Sequence, residues 1–384
     1  MNIGVVSTLF PTRRNPTAGI FVKDELDRLA GFADIRLIAP FPNQRWLLER
    51  SSGLVTTSYP VRAPFVFAFH RWFFQNLYPS NLAKKLTITG KKFFRDCDIV
   101  HAHNGFPEGV AAVKAFSGKH PVVITLHGSD VNYFAMKQNL RPMIVDALNR
   151  AAHLICVGST LRRKLTDLGV LTPMSVIPNG VDTDIFRPAE KTEASLRLGL
   201  DPNRYRVIFA GNFVPVKGVE HLIRAFPDVR AMFPDCELVL LGADQGKGDR
   251  MRYKTGIDQA GINDSVMISD RVQHCDLPIW LQASDVLVLP SLNEGFGLVA
   301  AEALACGRPV VSTKSGGPED IVVEATGELV EPGDHAALSR AIATVLNGEG
   351  IGDAAFLAES ARTRFSFEKV TAMILDVYKD VLDT

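Results

Sequence analysis

Short apolar runs recur along the chain, each followed by a stretch in which apolar positions return every three or four residues. In the first half the runs lie at residues 3–7, 35–39, 98–103, 122–127, 154–158 and 175–178, with helical patterns at 23–30, 81–95, 107–116 and 160–167. The alternation then restarts, with strand-like runs at 206–211, 237–242, 266–269, 286–290 and 309–313 and helical patterns at 218–232, 298–306 and 335–346. Continuous apolar strands joined by helical crossovers predict parallel sheets covered on both faces. The fold class read from this pattern is α/β, two Rossmann-like doubly wound units in series. A turn-rich segment at 179–188 marks the boundary, giving domains 1–186 and 187–366. Residues 366–382 form an amphipathic pattern, Ser366 standing as an N-cap, and the closing helix within 367–384 is expected to pack back on the first domain.

Composition supports this reading and removes others. At 384 residues the chain exceeds one ordinary core, and 46% hydrophobic with 22% charged residues is the balance of a globular protein. No apolar run approaches the roughly 18 residues that cross a bilayer. The segment Met1-Asn2-Ile3-Gly4-Val5-Val6 reads as a buried strand, so secretion is not expected and a cytoplasmic location is. Cys97, Cys156, Cys236, Cys275 and Cys306 are scattered and lack a C-x-x-C pair, which predicts reduced, mostly buried thiols. Net charge is zero, but residues 1–186 carry 22 Lys+Arg against 13 Asp+Glu (+9) and residues 187–384 carry 20 against 29 (−9). A basic half suits an anionic membrane surface, at the inner face of which the protein would be peripheral, or a phosphorylated acceptor. No basic motif with interleaved aromatics points to nucleic acid.

The aromatic stretch Phe65-Val66-Phe67-Ala68-Phe69-His70-Arg71-Trp72-Phe73-Phe74, followed by Lys84, Lys85, Lys91, Lys92 and Arg95, has two readings. It is either an interfacial surface meeting a membrane or lipid-linked acceptor, or a helix with buried aromatics and solvated lysines.

The segment Glu294-Gly295-Phe296-Gly297-Leu298-Val299-Ala300-Ala301-Glu302 carries the most specific chemistry. It follows an apolar strand and opens a helix, the position where open α/β sheets bind ligands. Glycines there let backbone approach a ligand and free helix-start amides for an anion such as a diphosphate. The two carboxylates are eight residues apart, about 12 Å of helical rise and slightly over two turns if the segment were all helix. Glu294 is expected in the loop and Glu302 in the helix, a span that fits one nucleotide-sugar. Acidic capping of a helix is the plainer explanation of two such glutamates in isolation.

The segment resembles the E-x7-E motif of family 4 retaining glycosyltransferases of the GT-B fold. The resemblance extends to V-I-F-A-G-N-F-V-P-V-K-G at 207–218, V-I-P-N-G-V-D at 176–182, His101-Ala102-His103, Thr125-Leu126-His127-Gly128-Ser129-Asp130, the strand at 285–291 and Thr326-Gly327-Glu328-Leu329-Val330. It implies two Rossmann-like domains facing each other across a cleft, the first binding acceptor and the second a nucleotide-sugar. It further implies that Lys217 neutralises the departing diphosphate, that Glu294 holds sugar hydroxyls and that Glu302 holds the ribose. The amides of Phe296, Gly297 and Leu298 would support phosphate or sugar, with Gly211 and Asn212 beside the donor. His127 would face the sugar and Gly19 would admit the diphosphate. Plainer readings are a solvated Lys217 at a helix start and a hydrogen-bonded His127 at a strand end. The chain departs from the family at Asn212, often arginine, where a charged bidentate ligand becomes a neutral amide, and at Thr17-Ala18-Gly19, commonly paired glycines.

In similar enzymes the sugar keeps its anomeric configuration, UDP is the usual carrier with GDP next, and no metal or other cofactor is needed. The acceptor is a hydroxyl, lipid-linked or polysaccharide. Asp96-Cys97-Asp98 and Asp182-Thr183-Asp184 read as loop carboxylates rather than metal ligands, and His101 and His103 are expected to point to opposite faces of their strand. Two other functions share this architecture, a nucleotide-sugar epimerase and a non-catalytic sugar-nucleotide binder. G-x-G-x-x-G after the first strand and a P-loop are both missing, which argues against a dehydrogenase and a P-loop nucleotidase.

Overall fold

The computed structural model describes residues 1–12, 17–42, 58–66, 77–244, 248–270 and 272–384. The chain divides into two compact units, Met1–Gly180 with Phe367–Thr384, and Val181–Ser366. It enters the second unit at Val181, whose amide binds the Phe365 carbonyl at 2.7 Å. Phe186 is buried within that unit, against His274. The change of unit thus falls at Gly180, ahead of the boundary expected after residue 186.

The first unit contains β1 (Asn2–Val6), β2 (Asp34–Ile38), β3 (Phe41–Pro42), β4 (Val61–Arg62), β5 (Phe65–Val66), β6 (Ile99–His103), β7 (Val122–Leu126), β8 (His153–Cys156) and β9 (Met174–Val176). Its helices are α1 (Ile20–Leu29), α2 (Tyr78–Phe93), α3 (Val110–Phe116), α4 (Arg141–Asn149) and α5 (Ser159–Asp167). Among the described residues the main sheet runs β4-β2-β1-β6-β7-β8-β9, every pair parallel, and β3 pairs with β5 apart from it. β1 is flanked on both sides, Ile3 standing opposite Ile35 and Ile99, and its residues Ile3 to Val6 are buried, so neither face of the strand is wet.

The closing helix, Phe367–Asp383, lies on this unit. Its Val370, Ile374, Val377 and Tyr378 share a core with Ile3, Val5, Leu26, Ile99 and Val123. Each such side chain, fully buried, contributes about 1.5–3 kcal/mol. α2 buries Leu82, Ala83 and Leu86 while Lys84, Lys91 and Lys92 are exposed. Residues 67–74 of the aromatic stretch lie outside the described residues.

The second unit contains β10 (Arg206–Ala210), β11 (Glu237–Leu241), β12 (Val266–Ser269), β13 (Val286–Leu289), β14 (Val310–Thr313) and β15 (Gly327–Val330). Its helices are α6 (Lys191–Arg197), α7 (Val219–Met232), α8 (Asp249–Ala260), α9 (Leu277–Gln282), α10 (Leu298–Ala305), α11 (His335–Leu346) and α12 (Ala354–Phe365). The sheet order is β12-β11-β10-β13-β14-β15, all parallel. Successive strands go to one side of β10 and then to the other, so the order reverses between β10 and β13. Such a reversal leaves a crevice outside the carboxyl ends of the two strands, because their crossover helices cover opposite faces.

Candidate active site

In the second unit two loops meet at that reversal. The loop after β10 carries Gly211, Asn212 and Lys217. Its buried Phe213 packs edge-on to Tyr253, with ring centroids 5.5 Å apart. A short 3₁₀ turn, Pro215–Lys217, then leads to Gly218 at the start of α7. Gly218 has φ +65°, and a Cβ there would stand 2.0 Å from the carbonyl oxygen of Pro290 at the end of β13. Only a residue without a side chain lets the loops approach this closely. The Leu292 amide donates to the Val216 carbonyl at 2.8 Å, tying them again.

Glu294 is held at both levels of its structure. Its amide donates to the Ser315 carbonyl at 3.0 Å, and its carbonyl accepts from the Gly317 amide at 3.2 Å, so the loop after β14 clamps its backbone. Its carboxylate Oε2 lies 2.5 Å from Lys217 Nζ and accepts from Ser291 Oγ at 3.1 Å. Lys217 and Glu294 are both partly exposed, with side chains 24% and 13% accessible, so the pair sits at the mouth of the crevice rather than in the core. Asn212 is exposed and Gly211 half-buried; the Gly211 amide donates to the Leu241 carbonyl at 2.9 Å.

Phe296, Gly297 and Leu298 lie between the glutamates. Phe296 is buried, edge-on to Phe365 at 5.7 Å, and Gly297 is the residue from which α10 starts. The amides of Leu298 and Val299 precede the hydrogen-bond ladder of α10, which begins with the Ala300 amide on the Gly297 carbonyl at 2.8 Å. Glu302 lies inside α10, only 3% exposed. It bonds His274 Nε2 at 2.6 Å, and the His274 ring rests on Phe186 with centroids 5.1 Å apart. Lys217 and Glu294 are thus in contact, while Glu302 is separately partnered along the same strand-loop-helix segment.

Sequence reasoning did not find His274, Ser291 or Ser315-Gly316-Gly317. His274 follows β12 and is polar among polar neighbours, with nothing local to mark it. The serine-glycine-glycine loop does carry a signal, since it follows a buried strand of the same sheet.

Gly19 and His127 belong to the first unit. Gly19 opens α1, and its backbone lies against Leu9 in the loop after β1. His127 follows β7, where Asp130 organises the turn: its carboxylate accepts from the amides of Gly105 at 2.8 Å, Gly128 at 2.9 Å and Val131 at 3.0 Å. Burial holds His127 down at about 3, well under the usual histidine range.

The expected divergence of His101 and His103 is corrected. Residues two apart on a strand complete one period and share a face, and the two rings lie with centroids 4.5 Å apart. Among the D-x-D carboxylates, Asp98 accepts from the Asn2 amide at 2.7 Å, tying the starts of β6 and β1, and Asp182 accepts from the Asp184 amide at 3.1 Å within its own turn. Cys97, Cys156, Cys236 and Cys306 are buried free thiols and Cys275 is an exposed one. Among the described residues no helix is long and apolar enough to cross a membrane.

Comparison with known proteins agrees with this architecture. The family profile described as Glycosyl transferases group 1 matches residues 190–364, and that described as Glycosyltransferase Family 4 matches residues 19–185. A D-inositol 3-phosphate glycosyltransferase of Xylanimonas cellulosilytica is 35% identical over 219 residues, 54% of this chain and 51% of the relative. The enzyme of the same name from Acidothermus cellulolyticus is 30% identical over 302 residues, 74% of this chain and 67% of the relative. The chain therefore spans about half the length of the first relative and two thirds of the second. Among solved structures, HepE of Anabaena in complex with UDP and glucose superposes with a TM-score of 0.77 at 21% identity, covering 99% of this chain and 100% of HepE. That likeness is one of fold, GT-B with its two Rossmann-like domains. With a profile matching each of its two units, the chain belongs to glycosyltransferase family 4.

Proposed function

We propose that this chain moves a sugar from a nucleotide-diphosphate sugar, UDP-linked first and GDP-linked next, to a hydroxyl acceptor with retention of anomeric configuration. The observation that carries the reading is the arrangement at the β10–β13 reversal. A lysine and a carboxylate are paired at the crevice mouth, a helix start follows, and a second carboxylate is buried in that helix. These are the groups a sugar diphosphate needs, in the order in which such a molecule presents its parts. Lys217 offers positive charge where the departing diphosphate gains negative charge. The amides at the start of α10 bind phosphate or sugar oxygens. Glu294 accepts from sugar hydroxyls and Glu302 from ribose hydroxyls. Gly211 and Asn212 flank the donor. By the family resemblance Gly19 would admit the diphosphate and His127 would face the sugar.

In this reading the acceptor oxygen attacks the anomeric carbon from the leaving group's face. The bond from that carbon to the phosphate oxygen breaks as the new glycosidic bond forms, and the acceptor proton passes to the departing phosphate oxygen. No metal is required, because lysine and amides carry the charge. Two things support an anionic acceptor, such as a phosphorylated polyol or lipid-linked phosphate. Residues 1–186 carry a charge of +9, and the relatives are named for an inositol phosphate.

The test is thermal unfolding with a panel of UDP-, GDP- and ADP-sugars beside the bare nucleotides. Donor at a hundred times its dissociation constant stabilises by about 2.7 kcal/mol, which raises Tm by roughly 5–10 °C for a unit of this size. A panel in which no nucleotide-sugar shifts the transition overturns the proposal.

A further inference from the structure

The first unit buries a group of polar side chains drawn from elements remote in sequence. His101 and His103 come from β6, His127 from the end of β7, Glu25 from α1 and Tyr378 from the closing helix. His101, His103 and Tyr378 have no exposed surface and Glu25 is 6% exposed. Ligand atoms of Glu25, His101 and His103 lie within 4.8 Å of one another. His101, however, spends both ring nitrogens on neighbours, Nδ1 with Tyr378 Oη at 2.6 Å and Nε2 with Thr125 Oγ1 at 2.7 Å. That leaves one atom each from Glu25 and His103, too few to hold a metal without breaking a bond already made.

What remains is a line of three groups. Glu25 Oε1 faces His103 Nε2 across 3.6 Å, and neither atom has a hydrogen-bond partner among the described residues. His103 Nδ1 lies 3.2 Å from His127 Nε2, the two rings within 15° of parallel. His127 is thereby left with one nitrogen, the buried Nδ1, that has no hydrogen-bond partner among the described residues. Phe21, one helical turn before Glu25 on α1, packs against the His127 ring with centroids 4.8 Å apart, so one helix supports both ends of the line.

Burial decides which protons are present. It pushes the Glu25 carboxyl up to about 8, and holds His101 and His127 down at about 3 and His103 well below its usual range. Burial thus favours the uncharged form of every member, Glu25 as its acid and each imidazole with one proton. The acceptor facing the acid proton is His103 Nε2, 3.6 Å from Glu25 Oε1, a separation that must shorten by a few tenths of an ångström for the hydrogen bond to form. The His103 proton then belongs on Nδ1, where it donates to His127 Nε2, and the His127 proton belongs on Nδ1.

We propose that Glu25 and His103 are positioning residues that fix the tautomer of His127, so that this histidine presents an N–H donor at Nδ1. The consequence for the reaction rests on the reading in which His127 faces the donor sugar. There an Nδ1–H donates to a sugar or phosphate oxygen, whereas the opposite tautomer meets the same oxygen with a lone pair.

The experiment records two-bond ¹⁵N–¹H correlations of histidine-labelled protein without ligand near pH 7, where the nitrogen carrying the proton is read directly. The expected result is His127 protonated on Nδ1, and His127 found protonated on Nε2 overturns the relay with no variant needed. Glu25→Gln, whose amide still donates toward His103 Nε2, is expected to keep the Nδ1–H form. Glu25→Leu removes the donor and is expected to shift His127 to Nε2–H or a mixture; a folded Glu25→Leu protein with an unchanged tautomer also overturns the relay. Donor kinetics form the second arm. Glu25→Leu is expected to lower kcat/KM for the donor about tenfold, the scale of one reversed hydrogen bond, with Glu25→Gln near the parent. If the tautomer shifts and kcat/KM does not, the relay stands and the assignment of His127 to the donor falls.

Discussion

Glu25→Gln separates the protonation of this buried cluster from everything else that titrates. Glu25 lies against His103 and near Tyr378, and burial raises its carboxyl from 4.5 to about 8. Between those values the folded protein binds a proton that the unfolded chain has released. The stability Glu25 contributes is complete below pH 4.5 and is lost as pH rises toward 8, at about 1.4 kcal/mol per pH unit. The three histidines act in the opposite sense: their folded values are depressed, so their contribution is present above 6.5 and lost as pH falls. They titrate alike in parent and variant, as does Glu108, which burial raises to about 7, and so they cancel in the difference. Glutamine carries no titrating proton. The stability of Glu25→Gln relative to the parent should therefore grow by about 2 kcal/mol from pH 6 to pH 8 and level off above. The assay is equilibrium urea unfolding followed by the NMR signals of the buried His101 and His103 side chains of the first unit. A difference curve that is flat from pH 6 to pH 9 refutes the reasoning, because an ordinary carboxyl would have finished titrating below that window.

Other perturbations test the second unit. Lys217→Ala should lower kcat by roughly 10²–10³ while leaving affinity for the bare nucleoside unchanged, the loss expected when one group stabilising developing charge is removed; unchanged turnover under saturating donor dismisses the leaving-group role. Glu302→Ala should weaken nucleotide binding by roughly 10- to 100-fold, as two charge-assisted hydrogen bonds are lost, and titration calorimetry with UDP measures it. His274→Ala should reproduce part of that loss and add little to it in the double variant, since the two side chains touch at 2.6 Å; full additivity would mean His274 acts independently of Glu302. Gly218→Ala should destabilise the second unit by about 2–4 kcal/mol in urea unfolding, because its φ is +65° and the added methyl would meet the Pro290 carbonyl; parent-like stability would show that the two loops are not locked there.

What could be read from the sequence follows from how local each signal is. β1, β7, β10 and β13 are buried on both faces and stand as nearly continuous apolar runs, with β6 interrupted only by its two histidines, so their places were legible to within a residue or two. Glu294 in a loop and Glu302 in a helix were legible for the same reason, because the glycine at the start of α10 separates strand from helix within a few residues. The two-residue strands β3, β4 and β5 are too short for any period to show. α8 was missed because it is polar nearly throughout, burying Asp249, Tyr253 and Ile257 alone. Partners contributed from remote segments left no trace: His274 reaches Glu302 from 28 residues away, and Tyr378 reaches His101 from 277. The face shared by His101 and His103 was legible in principle, since two residues make one period of a strand.

The pairing of Lys217 with Glu294 bears on how the proposed donor would enter. A lysine held ready for a diphosphate, alone in a half-buried crevice, would carry a desolvated charge with no compensation. Here the compensation comes from the carboxylate that the proposal assigns to sugar hydroxyls, and Ser291 steadies the same oxygen. An arriving diphosphate can take over the ammonium as the sugar hydroxyls take over the carboxylate, so one set of charge-assisted hydrogen bonds replaces another and neither group is stranded. A bare nucleotide offers only half of that exchange, since it recruits Lys217 and leaves Glu294 half-buried without a partner. A free sugar offers the other half. On the proposed function the pair would favour the intact nucleotide-sugar over either fragment, through two side chains already fixed in place by the loops after β10, β13 and β14.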